Sequence, residues 1–228
     1  MGVPVMIAGE SGSGKTYSIK NLNPDDVGIF LCEKNRLPFR KQFPAYKVRN
    51  MKTDDDKIIR QSAVIQTMLR NPQKPKKIYI IDDSQYIMAN EFFDRASETG
   101  FQKFTDIGCN FRNLIHLVNN ELPDDVIVYF LHHPETDGNT GKLKAKTIGK
   151  LLDEKLTLEG CFDIVLFCRT DGQDHWFQTQ SDGTNTAKSP EEMFEEKIPN
   201  DLAIVDATIR DYYGMEPLNK KEKEGKKA

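Results

Sequence analysis

Near the start of the chain, Gly9-Glu10-Ser11-Gly12-Ser13-Gly14-Lys15-Thr16 combines glycines, a lysine and a hydroxyl at the spacing G-x-x-x-x-G-K-[ST]. That spacing is the one a phosphate-binding loop (P-loop) requires. Glycines let the backbone curl until successive N–H groups face one anion, and a helix opening near Gly14 adds its positive end. Lys15 then reaches the β- and γ-phosphates of a nucleoside triphosphate, and the Thr16 hydroxyl is a ligand for Mg²⁺. Gly9 to Thr16, with Tyr17 directly after, are the expected nucleotide-binding residues. A second set of candidates is acidic: Asp82-Asp83 closes the apolar run Ile78 to Ile81, and Glu33 follows the run Val27 to Cys32. A metal held by one hydroxyl takes its next protein contact from a carboxylate at the end of a neighbouring buried strand, which is the role expected of Asp82. The pair His132-His133 closes another apolar run, Val126 to Leu131, where a polar group can sense the γ-phosphate. No further His or Cys stands at ligand spacing, so these histidines do not read as a metal site.

These residues need a scaffold that gathers strand ends. Val3 to Ala8 reads as a strand leading into the glycine loop, and Tyr17 to Leu22 as the helix after it, closed by Asn23-Pro24-Asp25-Asp26. In open α/β sheets ligands sit beyond the carboxyl ends of the strands, so Glu33 is aimed near the phosphates. Lys34 to Asn50 interleaves basic and aromatic residues and reads as a solvated loop whose aromatics enter the core; single-stranded nucleic acid is the other use of such a pattern. Asp54-Asp55-Asp56 is expected to cap a helix carrying Ile58, Ile59, Val64, Ile65, Met68 and Leu69 up to Asn71-Pro72. Ser84 to Glu121 reads as helical material broken around Glu98-Thr99-Gly100. Glu135 to Lys150 is expected to be a long mobile loop, and its lysines Lys142, Lys144 and Lys146 are candidates for contacts with polymer phosphates. A helix over 150–158 leads into a strand, Asp163 to Arg169, with Trp176 to Thr179 as its antiparallel partner. The turn Ser181-Asp182-Gly183 is expected to expose Lys188. A last helix is bounded by Asn200 as N-cap and Gly214 as its stop, and the charged segment 219–228 is expected to be disordered.

Composition bounds what is built on that loop. With 228 residues, 38% hydrophobic and 29% charged, the chain suits one α/β domain over 1–218. The formal net charge is −3, and the final ten residues carry five Lys against two Glu, so the body is mildly acidic and any nucleic-acid site must be local. Cys32, Cys109, Cys161 and Cys168 show no C-x-x-C pairing and read as reduced thiols of a cytoplasmic protein. No apolar run approaches a membrane span, and the chain enters its first strand without a charged leader, so a soluble, non-secreted protein is expected.

In order, Gly9 to Thr16, a strand ending in Glu33, Ile78 to Asp82, and Val126 to His133 followed by a Gly/Lys loop, a helix and a strand resemble the RecA-type ATPase core. The succession is similar, more closely, to the small phage-encoded RecA-core ATPases of single-strand annealing and recombination, over roughly residues 3 to 214. The resemblance implies a three-layer P-loop fold with a RecA-like, mostly parallel central sheet and a C-terminal antiparallel hairpin. It implies Mg²⁺-dependent ATP hydrolysis, with a strand between those of the glycine loop and Asp82. The implied partners are single-stranded DNA, a single-strand DNA-binding protein, and further copies in a ring or filament; a phage-encoded chain would work in the host cytoplasm. By position, Glu33 orients or deprotonates the attacking water, with Asp83 as the alternative base. His132 or His133 couples nucleotide state to the DNA-binding loop bearing Lys142, Lys144 and Lys146, and Lys188 reaches a neighbouring subunit's nucleotide. The fuller recombinases carry a glutamine where this chain has its histidine pair. Two other functions share the loop: a small-molecule kinase, against which stands the lack of any arginine from Pro134 to Cys168, and an ATP-dependent loading or adaptor protein that does not bind DNA.

Overall fold

The computed structural model describes residues 1–34, 36–55, 57–149 and 157–218. Its apolar runs become strands: β1 (Val3–Ala8), β2 (Val27–Leu31), β6 (Ile78–Asp82), β7 (Ile127–His132) and β10 (Ile164–Thr170). Together with β3 (Ala45–Lys47), β11 (His175–Gln178) and β12 (Lys197–Pro199) they form one eight-stranded sheet in the order β12-β11-β10-β1-β7-β6-β2-β3. From β10 to β3 every neighbouring pair is parallel, and β11 and β12 add an antiparallel edge. Strands covered on both faces read as continuous apolar runs rather than as alternations, which is why these five are legible in sequence. The fold is α/β with a large, mostly parallel sheet, and β7 lies between β1 and β6 as expected.

Alternate residues of each strand feed two cores. Met6, Ala8, Phe30, Ile81, Phe130 and Phe167 pack under α1 (Gln61–Arg70), α2 (Gln85–Asp94) and α3 (Gln102–Glu121). Val5, Ile7, Ile29, Ile80, Leu131 and Leu166 pack under α4 (Leu202–Tyr212) and the short turn that follows the glycine loop. Phe39 and Phe43 are partly buried against the second core, as expected of them, whereas Tyr46, the third aromatic of the basic stretch, is 42% exposed. The helical material after Ser84 breaks where expected, between α2 and α3. No helix of the described residues is long and apolar enough to cross a membrane.

Several expectations change. The helix after the glycine loop is a five-residue 3₁₀ turn, Tyr17–Asn21. It ends at Leu22, which is extended, and the helix could not run much further, since Asn23 directly precedes Pro24 and a residue in that position is disfavoured in the helical region. Ile58 and Ile59 are not helical: β5 (Ile58–Ile59) pairs antiparallel with β4 (Met51–Lys52), both exposed, and Thr53 closes the turn by bonding Lys57. β-Branched residues without a core to enter favour this hairpin, and α1 starts only at Gln61, whose N–H donates to Asn50 Oδ1. Asp56 of the expected cap lies outside the described residues. The loop after His133 is instead a hairpin, β8 (Pro134–Thr136) against β9 (Leu143–Ala145). Of the helix expected over 150–158, residues 150–156 lie outside the described residues, and Leu158–Cys161 is a 3₁₀ turn. The N-cap of α4 is Asp201, whose carboxylate accepts from Ala203 N at 2.9 Å, rather than Asn200. Lys188 is not presented by an exposed turn: it is half-buried, and its main chain exchanges both hydrogen bonds with Val165. Residues 219–228 lie outside the described residues.

Candidate functional site

Sheet register assembles the site. Ala8 is paired with His132, and Leu31 with Asp82, so the residues following β1, β7, β6 and β2 emerge along one carboxyl edge. Gly9 follows directly, and its N–H donates to His132 O at 3.1 Å. Gly12 and Gly14 have φ of +81° and +101°, a backbone region that glycine enters without strain. Glu10, Ser11 and Gly12 are exposed, whereas Ser13, Lys15 and Thr16 are buried and Tyr17 is half-exposed.

Lys15 is 5% exposed, and its amino group donates to Gly9 O at 2.6 Å and Glu10 O at 2.9 Å. Burial lowers its pKa to about 8, against the opposing pull of Asp83. Thr16 Oγ1 donates to Asp82 Oδ1 at 2.9 Å, which joins the loop to the end of β6 as the sequence suggested. Asp82 is 1% exposed, and burial, then the neighbouring Asp83 charge, pushes its carboxyl upward. Among the described residues Asp82 Oδ2 has no hydrogen-bond partner. A buried carboxylate oxygen left bare is costly unless a cation meets it. No group of three or more His, Cys, Asp or Glu gathers as a metal site among the described residues. A divalent ion here would therefore rest on one hydroxyl, one carboxylate and the ligand's own oxygens, the set that suits Mg²⁺.

Asp83 follows with φ of +59°, which aspartate tolerates better than most residues. Its carboxylate is held on two sides, by Lys34 Nζ at 3.1 Å from Oδ2 and by His133 Nε2 at 3.3 Å from Oδ1. Among the described residues Asp83 Oδ1 has no aligned hydrogen-bond partner, so the His133 contact is one of proximity that becomes an ion pair only when the imidazole is protonated. Burial pushes the Asp83 carboxyl up, but His133 and Lys34 outweigh it and the net shift is downward. Glu33 shares this edge, yet it is exposed and lines a groove with Arg49, Asn50, Asn90 and Phe93; its carboxylate has no partner among the described residues.

The two histidines have separate situations. His132 is fully buried, with Nε2 2.8 Å from Lys146 O and Nδ1 2.9 Å from Ser84 Oγ. A carbonyl only accepts, so Nε2 carries the proton and Nδ1 accepts from Ser84. Burial lowers the His132 pKa to about 4, leaving the ring neutral. It thus ties Ser84, next to Asp83, to the end of the β8–β9 hairpin. On that hairpin Lys142 and Lys146 are exposed, while Lys144 pairs with Asp137 at 3.2 Å. Lys188 is not part of this cluster: its partner Val165 is level with Met6, inside the sheet rather than at its carboxyl edge.

Sequence reading missed the residues that brace the glycine loop from the far end of the chain. His175 Nδ1 lies 2.7 Å from Ser13 O, Cys168 Sγ lies 2.9 Å from the same oxygen, and Asn200 Nδ2 donates to Gly14 O at 3.2 Å. Lys34 was missed as well. None belongs to a local motif: β10 is the sheet neighbour of β1, and β11, antiparallel to β10, begins at the same carboxyl edge. No protein-family model matches this chain, and no curated protein matches its sequence.

Proposed function

We propose that the chain is a Mg²⁺-dependent ATPase of the RecA-like P-loop type that works on single-stranded DNA, in phage recombination, annealing or replication. The observation that carries this reading is the Thr16–Asp82 hydrogen bond, with a bare, buried Asp82 oxygen beside it, beneath a glycine loop that also buries Lys15. The intervening strand β7 supports hydrolysis over simple nucleotide switching.

In this reading Lys15 exchanges the Gly9 and Glu10 carbonyls for phosphate oxygens, and the loop amides share the remaining charge. Thr16 and Asp82 hold Mg²⁺, which when bound neutralises charge on the β- and γ-oxygens. Glu33, whose carboxylate is unengaged among the described residues, takes a proton from the water that attacks the γ-phosphorus as the bond to the bridging oxygen breaks. Asp83 is less suited to that role, because Lys34 and His133 already occupy it. Its place instead supports a link in which a change at Asp83 and Ser84 passes through His132 to Lys146 and the hairpin. Lys142, Lys144 and Lys146 then meet the phosphates of the strand. The position of Lys188 lends no support to a role as a finger reaching a neighbouring copy.

The test is phosphate release from MgATP with and without single-stranded DNA across a range of salt. Stimulation that fades as salt rises supports the reading, because phosphate contacts release counterions. Turnover indifferent to DNA leaves an ATP-driven adaptor, and transfer of the γ-phosphate to a small acceptor rather than to water leaves a kinase.

A further inference from the structure

Ser13 and Gly14 carry carbonyls whose bonding capacity is filled from outside the loop. A carbonyl oxygen offers two lone pairs. Ser13 O takes His175 Nδ1 at 2.7 Å and Cys168 Sγ at 2.9 Å. Gly14 O takes Asn200 Nδ2 at 3.2 Å and the Ser18 N–H at 3.0 Å. The three side chains come from β10, from β11 and from the residue before the α4 cap. We infer that Cys168, His175 and Asn200 are positioning residues that set the peptide planes of the phosphate loop, an inference that rests on reading that loop as a nucleoside triphosphate site.

The argument is geometric. In a trans peptide the C=O and the following N–H point in opposite directions. Holding Ser13 O and Gly14 O outward turns the Gly14 and Lys15 N–H groups to the other side of the chain, where phosphate oxygens would accept from them. Hydrogens are fixed by the acceptors. Ser13 O can only accept, so His175 carries its proton on Nδ1 and leaves Nε2 to solvent. Burial pushes the Cys168 thiol up to about 11, so it keeps its proton and remains a donor at neutral pH. Gly14 fits between them because it lacks a side chain: a Cβ there would collide with Asn200 Nδ2 and come within 3.0 Å of His175 Nδ1. Packing does not account for His175, an exposed residue whose ring could be solvated instead. The antiparallel edge serves this purpose: β10 runs past the end of β1, and the Thr170–His175 pair returns the chain over the loop.

Four proteins test this: wild type, His175→Phe, His175→Asn and Asn200→Leu. MgATP binding is measured by calorimetry, kcat and KM by phosphate release, and the Gly14 and Lys15 amides by ¹H–¹⁵N NMR. His175→Phe and Asn200→Leu are each expected to raise the Kd for MgATP about fivefold, the loss of one net hydrogen bond, with KM rising alike and kcat nearly kept. His175→Asn, whose side-chain amide can donate to Ser13 O, should restore binding to within about twofold. An unchanged Kd in both truncations, or a His175→Asn variant as weak as His175→Phe, overturns the inference. Should wild type bind no triphosphate, the site reading fails; the amide signals still judge the clasp, which requires both to move in His175→Phe and to return in His175→Asn.

Discussion

The buried ammonium of Lys15 is held at a cost that can be read as a pH dependence. Its pKa is lowered from 10.5 to about 8 because the group is buried. At about 1.4 kcal/mol per pH unit that interval corresponds to roughly 3 kcal/mol. Below pH 8 the ammonium is charged in both folded and unfolded chains, and the folded state bears the whole penalty. Between about 8 and 10.5 the unfolded chain binds the extra proton, so stability rises with pH across that window. The two carbonyls that Lys15 bonds make this a feature of the loop's own structure. The assay is urea unfolding of wild type and Lys15→Met in nucleotide-free buffer. From about pH 7.5 to 9.5 the wild type should gain about 2 kcal/mol relative to the variant, in which this proton is missing. Phosphate oxygens favour the ammonium, so MgATP affinity should fall in the opposite sense, approaching about tenfold per unit above pH 8. A wild-type-minus-variant difference that stays flat with pH would refute the picture of a desolvated ammonium, whatever the loop binds.

Three further outcomes follow from the same site. Asp82→Asn should weaken Mg²⁺-dependent nucleotide binding by about a hundredfold while leaving metal-free nucleotide binding nearly unchanged, checked by titration with and without EDTA. Glu33→Gln should bind MgATP normally and lose at least about a hundredfold in kcat; normal turnover would move the base to Asp83, tested next as Asp83→Asn. His132 has its pKa lowered from 6.5 to about 4 by burial, so its contribution is present above pH 6.5 and is lost as pH falls towards 4. Acid unfolding of wild type compared with His132→Asn should therefore reveal about 3 kcal/mol lost over that window.

The main strands were legible because each is a nearly unbroken apolar run, and a strand buried on both faces needs no finer pattern. The break between α2 and α3 was legible from Glu98 to Gly100 for a similar reason: a glycine among polar residues stops a periodic stripe. Short-range competition was harder. Ile58 and Ile59 kept helical spacing with Val64 and Ile65, yet the Thr53–Lys57 turn drew them into a hairpin. The segment Pro134 to Ala145 looked mobile because its glycines and lysines bury little; its pairing depends on backbone bonds that composition does not record. Asn200 and Asp201 are both good caps, and a one-residue difference in position freed Asn200 to reach Gly14.

Chemistry that lies within a few residues was written in their order. The run Gly9 to Thr16 specifies where backbone can turn through positive φ and where a lysine and a hydroxyl follow, because these depend on side-chain size and spacing alone. Asp82 and His132 were marked as strand-end groups by the apolar runs they close. Which groups face one another depended on sheet order and register, which join residues separated by most of the chain. Ala8 opposite His132, and Thr16 on Asp82, arise from that register. So do Lys34 and His133 on either side of Asp83, and His175, Cys168 and Asn200 around the glycine loop. Hydrogen bonds between such distant residues leave no periodic trace along the chain, so they become visible only when the sheet has set the strand ends side by side.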